Sequence, residues 1–296
     1  MPAFWHWFVA AGTILFVFWC TWLIAWSAKQ GPKDIPDNEV VGHKWDGDLQ
    51  EWNNPAPKWW LYLYFITIAW AIGYLVVFGL GSWEGTLGWS QQGQYEAEMQ
   101  AASARYEPIY EKFAAMDFEE LSKNADANKL GKSLYASYCT TCHGSDARGA
   151  TGYPNLTDDD WLYGKSEAAI TSTLKNGRNA VMPVLAPALG GDQGVDNMVR
   201  YVQSLSGIVA ADDPAALSAK PMFLALCSAC HTPEGTGNQA LGAPNLTDDV
   251  WLYGSSDDAI RTTIVQGRNG LMPAHGDLLG ADRTKILAAY VYSLSN

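Results

Sequence analysis

Positive charge is scarce in this chain. Among 296 residues there are 19 Lys and Arg against 31 Asp and Glu, a formal net charge of -12. So acidic a chain excludes nucleic acid as a natural partner and favours a basic protein. Cysteine is scarce too, with five residues and no disulfide framework. Four of the five lie in two pairs, and the fifth, Cys20, sits in an apolar run as a buried helix- or lipid-facing thiol. Two long stretches, Phe4–Trp26 and Trp59–Leu80, lack Asp, Glu, Lys and Arg altogether.

Those uncharged stretches are what the chain has in excess. About 20 apolar residues cross a bilayer core as a helix, so spans are expected at about 4–26 and 59–81. A signal peptide would need a basic start, and Met1-Pro2-Ala3 has none, so the first span is read as a retained anchor in a lipid membrane. Trp5, Trp7, Trp22, Trp26, Trp59, Trp60 and Trp83 fall near the ends, where interfacial aromatics belong. The segment between the spans holds Lys29, Lys33, Lys44 and Lys58, while the next basic residue after the second span is Arg105. Basic loops stay cytoplasmic, which puts both termini outside. His6 and His43 have no partner residues for a metal and are read as an interfacial and a loop histidine.

The sparse cysteines carry the chemistry. Cys139-Thr140-Thr141-Cys142-His143 returns as Cys227-Ser228-Ala229-Cys230-His231. C-x-x-C-H is the attachment sequence of c-type haem. Two thiols form thioethers to one porphyrin edge, and the adjacent histidine becomes the proximal iron ligand. Zinc would want four protein ligands, and each motif offers three with no further Cys or His at finger spacing. Two covalently bound haem c groups are therefore expected, with His143 and His231 as axial ligands. Their outer-side attachment agrees with the topology drawn from the lysines.

The sequence around the motifs repeats 88 to 90 residues later. Pro154-Asn155-Leu156-Thr157-Asp158-Asp159 matches Pro244-Asn245-Leu246-Thr247-Asp248-Asp249, and Gly177-Arg178-Asn179-Ala180-Val181-Met182-Pro183 matches Gly267-Arg268-Asn269-Gly270-Leu271-Met272-Pro273. That period is one small domain, not a solenoid unit. Ser166 and Ser256 are placed to N-cap helices that end at Gly177 and Gly267. Met198, Tyr201, Val202 and Leu205, like Leu287, Tyr290, Val291 and Leu294, form the stripe of a closing helix. The arrangement is similar to class I cytochrome c.

The chain is thus expected to be all-α: a membrane anchor over 1–90, a helical linker over 91–125, and tandem cytochrome c-like domains over 126–208 and 209–296. Met182 and Met272, each followed by a stiffening proline, are the expected sixth ligands, and Met/His ligation raises the potential. Pairing each methionine with its own repeat is simpler, although sequence does not exclude exchange. Met222 lies too near Cys227 to reach the opposite haem face, and His275 has no counterpart in the first repeat. Backbone carbonyls near Pro154 and Pro244 are candidates to orient the histidines. Arg178, Arg268, Trp161, Tyr163, Trp251 and Tyr253 are candidates for propionate contact, with ordinary packing the rival for the aromatics. Gly131 offers close helix packing that its counterpart Ala219 does not. With both axial positions filled, no catalytic site is expected on this chain.

The segment between the spans reads Gly42-His43-Lys44-Trp45-Asp46-Gly47, then Asn54-Pro55-Ala56-Pro57-Lys58-Trp59-Trp60. It resembles the N-terminal signature of the dihaem subunit of cbb3-type cytochrome c oxidases, the CcoP/FixP family. The resemblance implies a two-pass protein of the bacterial inner membrane with periplasmic haem domains. It implies electrons arriving from a soluble cytochrome c and leaving toward a monohaem cytochrome subunit. The catalytic haem b/copper subunit would then reduce oxygen and translocate protons. The rivals are a free-standing dihaem carrier, and an enzyme or gas sensor with an open haem.

Overall fold

The computed structural model describes residues 3–28, 35–36, 39–54, 57–81 and 83–295. Lys29, Lys33 and the Pro55-Ala56 pair lie outside them. The chain divides into two compact units, 1–104 and 105–296.

In the first unit α1 (Ala3–Ser27) and α2 (Lys58–Phe78) are both long and apolar enough to cross a membrane. At 1.5 Å per residue, 21 residues span about 31 Å, the thickness of a hydrocarbon core. Their apolar side chains point outward, as lipid-facing ones would. The second span stops at Phe78, short of the expected 81, because Gly79 takes φ +93 and turns the chain. A Cβ on Gly81 would come within 3.0 Å of the His6 carbonyl, so the end of α2 lies against the start of α1 and the two run antiparallel. Between them the expected turn region is a hairpin, β1 (Val40–Trp45) with β2 (Leu49–Trp52). Asp46 and Gly47, both at positive φ, close it. Asn53 fastens its exit by donating to the Ile35 carbonyl at 2.7 Å.

The second unit begins within α3 (Gln91–Ala114), continues through α4 (Phe118–Lys123), and holds two matched sets of elements. The first set is α5 (Ala125–Tyr138), α6 (Thr140–His143), α7 (Glu167–Asn176), β3 (Arg178–Met182) and α8 (Asp192–Leu205). The second is α9 (Pro214–Leu226), α10 (Ser228–His231), α11 (Asp257–Gln266), β4 (Arg268–Met272) and α12 (Gly276–Ser293). Ser166 and Ser256 cap α7 and α11 by accepting from Ala169 and Ala259 N–H. Gly177 and Gly267 end those helices at φ +70.

The sequence divides at 208/209, but the packing does not. One core joins Leu134 and Tyr135 of α5 and Ile170 and Leu174 of α7 to Ile286, Leu287 and Val291 of α12. The other joins Val195, Val199 and Val202 of α8 to Ala219 and Phe223 of α9 and Ile260 and Ile264 of α11. Each repeat has therefore lent its closing helix to the other. Matched repeats offer matched sockets, so exchange costs little in side-chain burial, and each fully buried aliphatic contributes about 1.5–3 kcal/mol either way. The exchange adds an antiparallel ribbon between β3 and β4, with Arg178 opposite Met272 and Met182 opposite Arg268.

Particular side chains fix the exchange. A Cβ on Gly131 would collide with Tyr290, so this glycine lets α5 close on α12. Buried Gln203 of α8 donates to Asp257 at 2.8 Å and to the Ser255 carbonyl at 3.1 Å, at the start of α11. The later part of the expected linker belongs to this unit. Phe113, Phe118 and Leu121 are buried in the α5–α12 core, and Met116 packs against it. Lys285 of α12 donates to the Ala114 and Met116 carbonyls at 2.9 and 2.7 Å, closing the end of α3.

Candidate functional site

Helices α5 and α9 deliver the two attachment motifs. Cys139 ends α5, and the His143 N–H reaches back to its carbonyl at 3.0 Å. The residues Cys139, Cys142 and His143 follow i, i+3, i+4 and share one side of a helical turn. In the second copy His231 N–H bonds the Cys227 carbonyl at 2.9 Å. Cys139 is buried, Cys142 and Cys227 are half-buried, and Cys230 is exposed.

Both histidines are oriented as expected. His143 Nδ1 lies 3.0 Å from the Pro154 carbonyl, and His231 Nδ1 lies 3.0 Å from that of Pro244. A carbonyl only accepts, so the proton sits on Nδ1 and Nε2 keeps its lone pair for a metal. Burial lowers the pKa of both rings, against the opposing pull of those hydrogen bonds. Both effects favour the neutral ring with Nε2 unprotonated.

The thiols argue against a dithiol redox pair. Burial pushes both Cys139 and Cys227 up to about 11, with a smaller contribution from the neighbouring Cys142 and Cys230. Exchange-active C-x-x-C pairs need the opposite shift. No cluster of three or more His, Cys, Asp and Glu suited to a metal occurs among the described residues.

The loops that carry the Pro154 and Pro244 acceptors meet across the repeats. A groove of about 540 Å³ is lined by Pro154, Asn155 and Trp161 of one repeat and Pro244, Asn245 and Trp251 of the other. The Trp161 indole N–H is buried without a partner, and a haem propionate would satisfy it. Arg178 and Arg268 lie over the Tyr163 and Tyr253 rings at 4.3 and 4.0 Å. Each guanidinium also donates to its own helix, at Thr173 and Thr263. Packing thus accounts for these aromatics, while Trp161 retains an unmet donor.

The methionine strands cross over. Past Met272 the His275 N–H donates to the Leu174 carbonyl of α7, at 2.9 Å. Past Met182 the Leu185 N–H donates to the Ile264 carbonyl of α11, at 3.2 Å. Met272 packs against the core that contains Cys139. The sequence left exchange of the methionines open and carried no signal that favoured it.

The two pockets differ in detail. Tyr135 donates to the Gly144 carbonyl beside His143, at 2.9 Å, whereas its counterpart Phe223 has no hydroxyl. Glycine at 144 takes φ +79 freely, but Thr232 holds φ +67 in its place. Thr232 Oγ1 compensates by accepting from the Thr236 N–H at 3.0 Å.

Two family descriptions match the chain. The N-terminal domain of cytochrome oxidase-cbb3, FixP, covers residues 37–84. Cytochrome C oxidase, cbb3-type, subunit III, covers residues 126–202 and again 214–291. The chain belongs to the CcoP/FixP family of cbb3-type oxidase subunits. It is 42% identical over 292 residues to the subunit CcoP of Rubrivivax gelatinosus, covering 98% of this chain and 95% of that one. It is 38% identical over 283 residues to the FixP subunit of Bradyrhizobium diazoefficiens, covering 88% and 96%. With the FixP subunit of Azorhizobium caulinodans it shares 37% over 282 residues, covering 86% and 92%. As a CcoP/FixP member the chain is a membrane-anchored electron-transfer subunit of a cbb3 oxidase, with haem c-binding domains of the cytochrome type.

Proposed function

We propose that this subunit receives electrons from a soluble cytochrome c on the periplasmic side and passes them inward through two haem c groups. They would go on to a monohaem cytochrome subunit and to the haem b/copper subunit that reduces oxygen. When bound, each haem supplies one-electron ferric/ferrous chemistry. The rest is the work of the chain. Cys139 with Cys142, and Cys227 with Cys230, tether the two groups. His143 and His231, fixed through the Pro154 and Pro244 carbonyls, present Nε2 to the metal.

The sixth ligands are exchanged in this reading: Met272 serves the His143 site and Met182 the His231 site. The crossed strands carry it, above all the His275–Leu174 and Leu185–Ile264 hydrogen bonds. A soft thioether from each methionine would favour the ferrous state of a bound haem and would fill the position that a substrate would need. The lysine count around the spans supports haem domains outside and the hairpin inside.

The test is the intact detergent-extracted particle. Two haem c per copy of this chain, co-purifying with haem b and copper and reduced by a soluble cytochrome c, is the expected result. A chain that leaves mild detergent alone, or carries one haem, contradicts the reading.

A further inference from the structure

We propose that the outer face of the β3–β4 ribbon is the contact surface for the donor: a soluble single-haem protein whose haem edge has an uncharged, apolar rim. The proposal rests on the electron-entry reading above and names where entry occurs.

Strand alternation divides the ribbon into two faces. Arg178, Ala180 and Met182, with Arg268, Gly270 and Met272, are half-buried on the inner face. Asn179 and Val181, with Asn269 and Leu271, are exposed on the outer one. Val181 is 65% exposed and Leu271 72%, although each directly precedes a proposed iron ligand. Val184 extends the patch at 52%. No Asp, Glu, Lys or Arg occurs from Asn179 to Gly191 or from Asn269 to Gly276. In a chain of net charge -12, such a surface repels neither sign and is cheap to dry.

The size of the patch chooses the occupant. A handful of side chains offers well under the ~800 Å² per partner of a standard stable interface and suits a brief electron-transfer encounter. A permanent subunit contact would need more. The acidic remainder of the chain steers a basic donor from a distance, and the ribbon supplies the uncharged contact. One ribbon carries both Met182 and Met272 on its inner face, so a donor seated on its outer face lies behind both proposed ligands. One electron leaves the donor's ferrous iron and reduces a ferric haem of this chain, with no bond made and no proton moved.

The test measures binding without turnover. Isotope-labelled oxidised cytochrome c, with an apolar haem rim and its lysines beyond that rim, is titrated against the oxidised intact oxidase, and complex formation is followed by NMR line broadening. The double variant Val181→Lys, Leu271→Lys should weaken binding at least ten-fold at fixed salt. Its far-red methionine–iron band should remain, and Val265→Lys on α11 should bind as wild type. If lysine abolishes that band, Val181→Thr with Leu271→Gln carries the same expectation at a smaller fold-change. Wild-type binding by a variant that keeps its band overturns the ribbon assignment. So does loss of haem b from the purified variant, which would mark a permanent subunit contact. A wild-type oxidase that binds no soluble cytochrome c overturns the entry reading itself, and the ribbon assignment with it.

Discussion

Gln203, in the closing helix of the first repeat, donates its side-chain amide to Asp257, in the first turn of α11 of the second, at 2.8 Å. The same amide reaches the Ser255 carbonyl. Gln203 is 4% exposed, so water does not replace it. Gln203→Ala should destabilise the second unit by about 1–3 kcal/mol, the cost of leaving a buried polar group unpaired. Thermal unfolding followed by loss of the far-red band checks this. An unchanged midpoint would mean that the exchanged helix is not held there.

Gly131 is the second lock. Gly131→Leu forces a side chain into the space of Tyr290, and overpacking of this kind costs about 1–3 kcal/mol. Because α12 follows the Met272 strand, the damage should appear at the His143 haem. Ala219→Leu, at the matched position whose neighbours already accommodate a methyl group, should be milder. The measurement is a pair of redox titrations, in which Gly131→Leu should lower one potential and leave the other in place.

Much of this unit was legible beforehand, for definite reasons. The helical turns that bring each Cys-x-x-Cys-His onto one side, the caps Ser166 and Ser256 and the end glycines are set by local chemistry, which the chain displays within a few residues. The Pro154 and Pro244 carbonyls were readable because a ligating imidazole needs an acceptor for its other nitrogen. The exchange of α8 and α12 was not readable, since Val202 and Val291 fit either socket by hydrophobicity and spacing. The hairpin before α2 was missed because its strands, Val40–Trp45 and Leu49–Trp52, expose residues on both faces and show no alternation.

Asp160 carries a pH prediction. Burial raises its carboxyl pKa, and the charges of Asp248 and Asp158 add to the effect. A raised carboxyl favours folding while protonated, and that contribution is lost as pH rises through the folded value. Asp160→Asn should therefore stabilise the protein near pH 7, by at most about 0.5 kcal/mol. The gain should fade in acid, where wild-type Asp160 is itself neutral. Equal gains at both ends of the range would rule out charge repulsion.

Asp213 runs the other way. Arg200 and the Ala216 N–H hold its carboxyl down at about 2. A depressed carboxyl favours folding above its ordinary range, about pH 4, and the benefit disappears as pH falls through about 2. Asp213→Ala should lower the thermal midpoint at neutral pH, and the gap to wild type should narrow in strong acid. A gap independent of pH would reduce the ion pair to packing.

The exchanged methionines are tested most directly by giving one haem a spectral label. Cys142→Ala leaves the His143 haem with a single thioether and shifts its ferrous band to longer wavelength. Adding Met272→Ala to that background and titrating with carbon monoxide shows which iron has lost its sixth ligand. Crossed ligation predicts carbon monoxide binding at the shifted band, with the unshifted haem untouched. Binding at the unshifted band would restore Met272 to its own repeat and contradict the account.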